Sequence, residues 1–453
     1  MKKYRFSALF LSLIILFSLC THPAAALEDP APNCGAAVVV DGDYGDVLYD
    51  HNAYQKMYPA SITKVMTSLL VLEAIEKGSL TLDQPITASE TAVVLPEGSS
   101  TAGIKAGEIL TVEQLLYCDL VSSANEACNI LAETVGGSVI NFVAMMNEKA
   151  RELGMTGTHF VNPHGLHDED HYTTAYDVSL MARAAMEYDT FRTIVSTTKY
   201  VVPATNLSDS RTLYTTNALL DNWKIAGYTY SRAIGIKTGS TTPAGQCLVS
   251  AAVDDKGRTF YCVVLGAKNV KEEDGSYTRY SFKESKRLLE WAFENFQRKV
   301  LLDDTFTEVI REVPVSLSDE TDYVIAHPVG SIEATMPVTY DPKDAEYRIE
   351  LVEGVEAPVE KGTKLGEVTF VYAGEEYGTL DMIAADSVLR SDFQYYVKVA
   401  REYLSLWWVK AAIAGGIFLF LVLIIWLAVI IPHRRRRRRY SSSGRSGYRG
   451  KRR

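Results

Sequence analysis

Two apolar runs free of charge, residues 6–20 and 411–431, bracket a chain whose interior moves between the helical and the two-residue apolar period. Residues 36–49 set short apolar runs against Asp-Gly-Asp and Gly-Asp turns, which predicts a β-hairpin. Pro59-Ala60-Ser61 opens a helical stretch that runs through Ile75, with Met66, Leu69, Leu70 and Leu72 near helical spacing. Residues 111–135 predict one long helix, capped by Thr111 with Glu113 in its first turn, and 139–153 and 174–188 predict two more. Residues 199–202, 234–237, 246–253 and 259–266 read as strands, the last two joined as a hairpin by Asp254-Asp255-Lys256-Gly257, and 285–296 reads as an amphipathic helix. Strands and helices mix in this way over residues 27–299, the pattern of an α+β domain with an antiparallel sheet. From about Val300 the texture changes to short β-rich segments divided by turn residues, which predicts a small all-β domain over 300–391. A helical juxtamembrane segment, 392–410, follows.

The two apolar runs differ in their flanks. The first follows Lys2, Lys3 and Arg5 and precedes Ala24-Ala25-Ala26, so residues 1–26 read as a secretory signal with the mature chain beginning at Leu27. Lipidation at Cys20 is disfavoured because bulky Leu19 precedes it. The second run is 21 residues long, enough to cross ~30 Å of hydrocarbon as a helix, with Trp407, Trp408 and Trp426 suited to the interfaces. Arg434–Arg439 follow at once, a stop-transfer signal that puts the tail, 432–453, in the cytoplasm and the region before the span outside.

Charge sharpens this division. The formal net charge is −10, yet residues 434–453 carry eleven Lys/Arg and no acid, and the signal carries three more basic residues; without both, the exported part stands at −24. So acidic a surface excludes nucleic acid as a partner, while the basic tail suits anionic lipids of the inner leaflet. Five cysteines remain after the signal, an odd number that does not read as a disulfide framework, and Cys247 and Cys262 sit in apolar strand-like runs. There is no CxxC pair and no HExxH helix, so no metal site or cofactor is predicted.

Candidate chemistry lies in three ordered motifs: Ser61-Ile62-Thr63-Lys64, Ser123-Ala124-Asn125 and Lys237-Thr238-Gly239. Ser61 and Lys64, three apart at a helix start, share one face, which brings the amine to the hydroxyl. A serine needs a base to become a nucleophile, and a lysine serves as one only where burial or a neighbouring cation lowers its proton affinity. Lys237 supplies that cation if its strand packs alongside. Ser123 is read as a second hydroxyl passing a proton between Lys64 and the leaving group, and Asn125 as holding the lysine and the substrate amide. Lys237 and Thr238 offer a cation and a hydroxyl to a carboxylate, Gly239 lets substrate backbone approach the strand edge, and the N–H groups of Ser61 and Ser240 are candidates for an oxyanion hole. A second SxxK, Ser196-Thr197-Thr198-Lys199, runs into strand-like sequence and lacks the helical geometry. A structural reading is favoured for His164, His171 and Asp177.

The stretches Tyr58-Pro-Ala-Ser-Ile-Thr-Lys-Val-Met-Thr67, Ser122-Ser-Ala-Asn-Glu-Ala-Cys128, Phe160-Val-Asn-Pro-His-Gly-Leu166 and Ile236-Lys-Thr-Gly-Ser-Thr-Thr-Pro-Ala-Gly-Gln-Cys-Leu-Val249 together resemble the low-molecular-weight penicillin-binding proteins, and more narrowly a serine-type D-alanyl-D-alanine carboxypeptidase. The resemblance covers about residues 30–395. It implies that Ser61 attacks the bond between the two D-alanines of a peptidoglycan stem peptide, that Lys64 is base in acylation, and that water hydrolyses the acyl-enzyme. It also implies that Lys237 and Thr238 hold the terminal carboxylate and that β-lactams acylate Ser61.

Three features depart from the family pattern. Ala124 stands where glycine is usual; the carboxylate-binding arginine has its nearest counterpart in Arg279, because Ser281 precedes Phe282; and the C-terminal segment reads as a membrane span rather than an amphipathic helix. The rival readings are a β-lactamase, whose deacylating acid is not identifiable here, a transpeptidase or endopeptidase built on the same residues, and a non-catalytic wall-binding scaffold. The oligomeric state is not readable from sequence.

Overall fold

The structure, a computed structural model, describes residues 27–430. The predicted signal and the basic tail with Arg434–Arg439 lie outside the described residues. The chain divides into two compact units: residues through Lys299 together with Glu333–Asp341, and Val300–Ile332 together with residues from Pro342 onward.

The first unit is α+β. In chain order its main elements are β1 (Ala36–Asp41), β2 (Val47–His51), α1 (Lys64–Glu76, entered through a 3-10 turn Ala60–Thr63), α2 (Val112–Leu120), α3 (Asn125–Gly136), α4 (Val139–Glu152), α5 (Ala175–Met186), α6 (Asp189–Ser196), β3 (Ala233–Thr241), β4 (Gly245–Val253), β5 (Thr259–Ala267) and α7 (Tyr280–Asn295). The five strands form one antiparallel sheet in the order β2-β1-β5-β4-β3, which leaves β3 at an edge.

Both faces of that sheet are covered. Alternate residues of one strand enter two cores, Val38 and Val40 joining Ile62, Val65 and Met66, and Ala37 and Val39 joining Leu288, Leu289 and Phe293 of α7. Two-sided burial explains why β1 reads as a continuous apolar run and not as an alternation. α1 lies within the first core, buried from Lys64 to Leu72, and its two buried hydroxyls inside that stretch, Thr67 and Ser68, are each hydrogen-bonded.

The single helix expected over 111–135 is two. Thr111 does cap the first, through a capping box with Gln114. The break falls where Ser122 Oγ donates back to the Cys118 carbonyl at 2.8 Å and Ser123 takes φ +66°, a left-handed backbone incompatible with a continuing helix. α6 was not expected as a helix; it ends at Ser196, whose hydroxyl donates to the Thr193 carbonyl at 3.1 Å, while Lys199 stands exposed on the strand beyond, so the second SxxK forms no pair.

Glu333–Asp341, read from sequence with the β-rich region, groups with the first unit, where Thr335 Oγ1 donates to Asp41 Oδ2 at 2.6 Å. The second unit holds a six-stranded sheet in the order Ala345–Leu351, Lys364–Tyr372, Glu375–Ala384, Tyr323–Val329, Arg311–Ser316, Val355–Glu356, antiparallel except for its last pairing. It leads into α8 (Asp392–Ser405), N-capped by Ser391, and α9 (Trp407–Ile425). Trp407–Ala428 is long and apolar enough to cross a membrane, about 33 Å at helical rise, and none of it is buried within the chain.

Candidate active site

Three elements converge: the turn before α1, the break between α2 and α3, and the free edge of β3. Ser61 sits half-buried in the 3-10 turn, and Lys64 is the first residue of α1 and fully buried. The Lys64 ammonium lies 3.3 Å from Ser61 Oγ, 2.7 Å from Asn125 Oδ1 and 2.7 Å from the His164 carbonyl, three acceptors for its three donors.

The turn is held from behind. Thr63 Oγ1 donates to the Ala60 carbonyl at 2.9 Å and stands 2.8 Å from His171 Nε2. His171 Nδ1 accepts the Val161 N–H, so Nε2 carries the hydrogen and donates to Thr63. Burial pushes His171 down to about 4. His164 is pushed down to about 3 by burial and by the charge on Lys64, and its Nδ1 accepts the Leu166 N–H at 3.2 Å. The His164 loop thus meets the site through a carbonyl, and its imidazole serves the loop. Asp177 accepts from Gly157 N–H and Thr158 Oγ1 at the start of α5, a structural use.

On the opposite wall, Ser123 Oγ accepts a hydrogen bond from Lys237 Nζ at 3.0 Å, and the same ammonium donates to the Thr238 carbonyl. The strained backbone at Ser123 turns its hydroxyl out of the helical path and toward β3. Lys237 is buried, and desolvation first, then repulsion from Lys64, lowers it to about 7. Gly239 passes so close to the turn that a Cβ would lie 2.9 Å from the Pro59 carbonyl and 3.0 Å from Ser61 N. Only glycine brings the strand edge against the Ser61 amide in this way.

A cavity of about 220 Å³ opens between these walls, lined by Ser61, Ser123, Thr238, Gly239, Ser240 and Arg279 among others. Arg279 ends a short strand just before α7, and its N–H donates to Tyr228 Oη at 2.8 Å. Lys64 and Asn125 bound the cavity through Ser61 and Ser123 without lining it. Sequence reasoning passed over Thr216, which also lines the cavity with its Oγ1 2.6 Å from Thr238 Oγ1; it stands in an unpatterned loop and carries no local signal. It also passed over the His164 carbonyl, since any residue supplies one.

Comparison with known proteins decides the family. A model described as Peptidase S11, D-alanyl-D-alanine carboxypeptidase, matches residues 24–269, more than half of the chain and all three motifs. The chain belongs to this family. Over 363 residues it is 30% identical to the D-alanyl-D-alanine carboxypeptidase DacF of Bacillus subtilis, covering 80% of this chain and 88% of that one. Among solved structures, penicillin binding protein 5 of Haemophilus influenzae is 27% identical over 81% of this chain and 100% of its own, with a TM-score of 0.62. A variant of a Streptomyces DD-transpeptidase is 29% identical over 59% of this chain and 100% of its own, with a TM-score of 0.52. The resemblance read from the motifs, the carboxypeptidase activity it implied and the α+β penicillin-binding-protein fold are thus borne out.

Proposed function

We propose that this family member is a membrane-anchored carboxypeptidase that removes the terminal D-alanine of peptidoglycan stem pentapeptides through an acyl-enzyme on Ser61. The observation that carries the reading is the Ser61–Lys64 pair, 3.3 Å apart, with Ser61 at the mouth of a cavity that Ser123 also lines, the buried Lys237 hydrogen-bonding Ser123 from behind. Ser61 Oγ attacks the carbonyl of the penultimate D-alanine and its proton passes to Lys64, which Asn125 and the His164 carbonyl hold in place. The oxyanion gathers between the N–H groups of Ser61 and Ser240. Ser123 relays a proton to the leaving amine, while Lys237, Thr238 and Arg279 hold the carboxylate of the departing residue. Water then frees the enzyme. β-Lactams present the same carboxylate and a strained amide, and acylate Ser61.

The helix Trp407–Ala428 fits a membrane anchor. In this reading the catalytic unit stands outside, the tail is cytoplasmic, and the eleven basic residues of 434–453 rest on anionic lipid. A transpeptidase is the second reading, favoured by the likeness to the Streptomyces enzyme. The discriminating experiment measures free D-alanine from a D-Ala-D-Ala pentapeptide with and without an acceptor amine. Release that is indifferent to the acceptor is expected; release that requires it moves the assignment to transpeptidation, and penicillin binding without release in either condition points to a wall-binding scaffold.

Lys237 sets a pH dependence. It clamps a carboxylate only as the ammonium, and its value of about 7 means that the free enzyme loses this form as pH rises through neutrality. A plot of log(kcat/KM) against pH for the pentapeptide should fall on its alkaline side with an apparent pKa near 7, and Lys237→Arg should move that limb beyond the measurable range. A flat profile from pH 6.5 to 9 would exclude Lys237 as a titrating clamp.

A further inference from the structure

The two lysines of the site are buried with neutral partners: Ser61, Asn125 and the His164 carbonyl around Lys64, Ser123 and the Thr238 carbonyl around Lys237. A buried ammonium surrounded only by dipoles is costly, and the cost rises when a second stands nearby. The compensating charge is on α2. Asp119 has no exposed surface, and each carboxylate oxygen has a donor: Ser68 Oγ reaches Oδ2 at 2.8 Å and Cys128 Sγ reaches Oδ1 at 2.8 Å. Ser68 is four residues beyond Lys64 on α1, one turn along the same face, so the carboxylate it holds lies beside the face that carries the amine. Burial raises the Asp119 carboxyl, and the strongest influence opposing that is the charge on Lys64; Lys237 acts in the same direction, more weakly.

We propose that Asp119 is the buried counter-charge of the acylation step, a positioning residue that stabilises the ammonium Lys64 becomes on taking the Ser61 proton. In that step the Ser61 O–H bond breaks, the proton and a positive charge move to Lys64 Nζ, and the Oγ–carbonyl bond forms as the oxyanion develops. Without an anion behind it, the new ammonium would face a low-dielectric interior and the positive field of Lys237. The part played resembles that of an aspartate behind a catalytic histidine, performed here for an amine and at one helical turn's remove. The inference rests on the reading of Ser61 as nucleophile and Lys64 as base. Sequence carried one trace of it: Asp119 is a lone acid in the apolar stretch Leu115-Leu116-Tyr117-Cys118-Asp119-Leu120-Val121.

The test is the rate of covalent labelling by a fluorescent penicillin, measured across pH on the full chain in detergent. The titratable groups facing Asp119 are Lys64 from α1, Lys237 from β3, Cys128 from α3 and Cys118 from its own helix, with Glu126 of α3 acting on the two cysteines. Asp119→Asn keeps the shape and removes the charge. Its plateau rate is expected to fall about tenfold or more. Because a nearby carboxylate favours the charged form of an amine, its loss should move the acid limb of the profile to lower pH. An unchanged rate and profile, or a slower rate with an unmoved acid limb, overturns the proposal, the second outcome marking a packing role. If Asp119→Asn does not fold, Ser68→Ala keeps the carboxylate but frees its Oδ2. A smaller loss with a limb shift of the same sign is then expected, and a wild-type profile in Ser68→Ala also overturns it. Ser61→Ala run in parallel separates the two levels: labelling that persists there defeats the underlying reading, whereas labelling lost there and intact in Asp119→Asn defeats only this inference.

Discussion

Ser61→Ala is expected to end both covalent penicillin labelling and D-alanine release. The hydroxyl is the half-buried oxygen at the cavity mouth, and the amine beside it is already oriented by two further acceptors. Folding should survive, because the turn is held by Thr63, the Ala60 carbonyl and His171, and the Ser61 side chain only accepts from Lys64. Intact-mass measurement after exposure to penicillin reads the outcome directly: the wild type gains one drug mass and the variant none, with equal unfolding midpoints. A variant that still gains the mass would move the nucleophile elsewhere, and Ser123, which also lines the cavity, would be the first place to look.

Lys64→Gln is expected to leave a folded protein that acylates about a thousandfold more slowly, the scale of a lost general base. Glutamine is the informative replacement. Its amide nitrogen donates to Asn125 Oδ1 or to the His164 carbonyl and fills most of the buried volume, but it takes up no proton. Alanine would confuse the result, since two buried acceptors left unpaired cost about 1–3 kcal/mol each and would weaken the fold as well as the chemistry. The paired measurement is the labelling rate and the unfolding midpoint. A rate within tenfold of wild type would remove Lys64 as base and turn attention to Lys237, the other amine of the site, which hydrogen-bonds Ser123.

The site was legible in proportion to how local its geometry is. Ser61 and Lys64 meet because a helix brings residues three apart together, and that is written in four consecutive residues. Gly239 was read as letting substrate backbone approach the strand edge; what the structure adds is an approach within the chain, to the backbone of Pro59 and Ser61, which no local signal announced. Ser123 was harder. Its residue type suggested a relaying hydroxyl, but not that it would be a left-handed residue that splits the expected helix and turns that hydroxyl to Lys237. Thr216, the His164 carbonyl and Asp119 carried little or no signal, because each matters through what packs against it from more than 20 residues away in the chain.

By itself the sequence determined the α+β character of the first unit, the strands of its sheet, an apolar C-terminal run, read as 411–431 where the helix runs Trp407–Ala428, and the residue types that carry the chemistry. These follow from periodicity, local turn chemistry and short spacings, all of them properties of neighbours along the chain. Tertiary structure alone decided that β3 lies at the sheet edge beside the turn before α1, that Lys64 and Lys237 are both fully enclosed, and that a carboxylate from α2 hydrogen-bonds Ser68, one helical turn along α1 from Lys64. The reason is physical: desolvation and Coulomb interaction depend on distance through space and on the exclusion of water, and neither exists until the two cores close around the sheet.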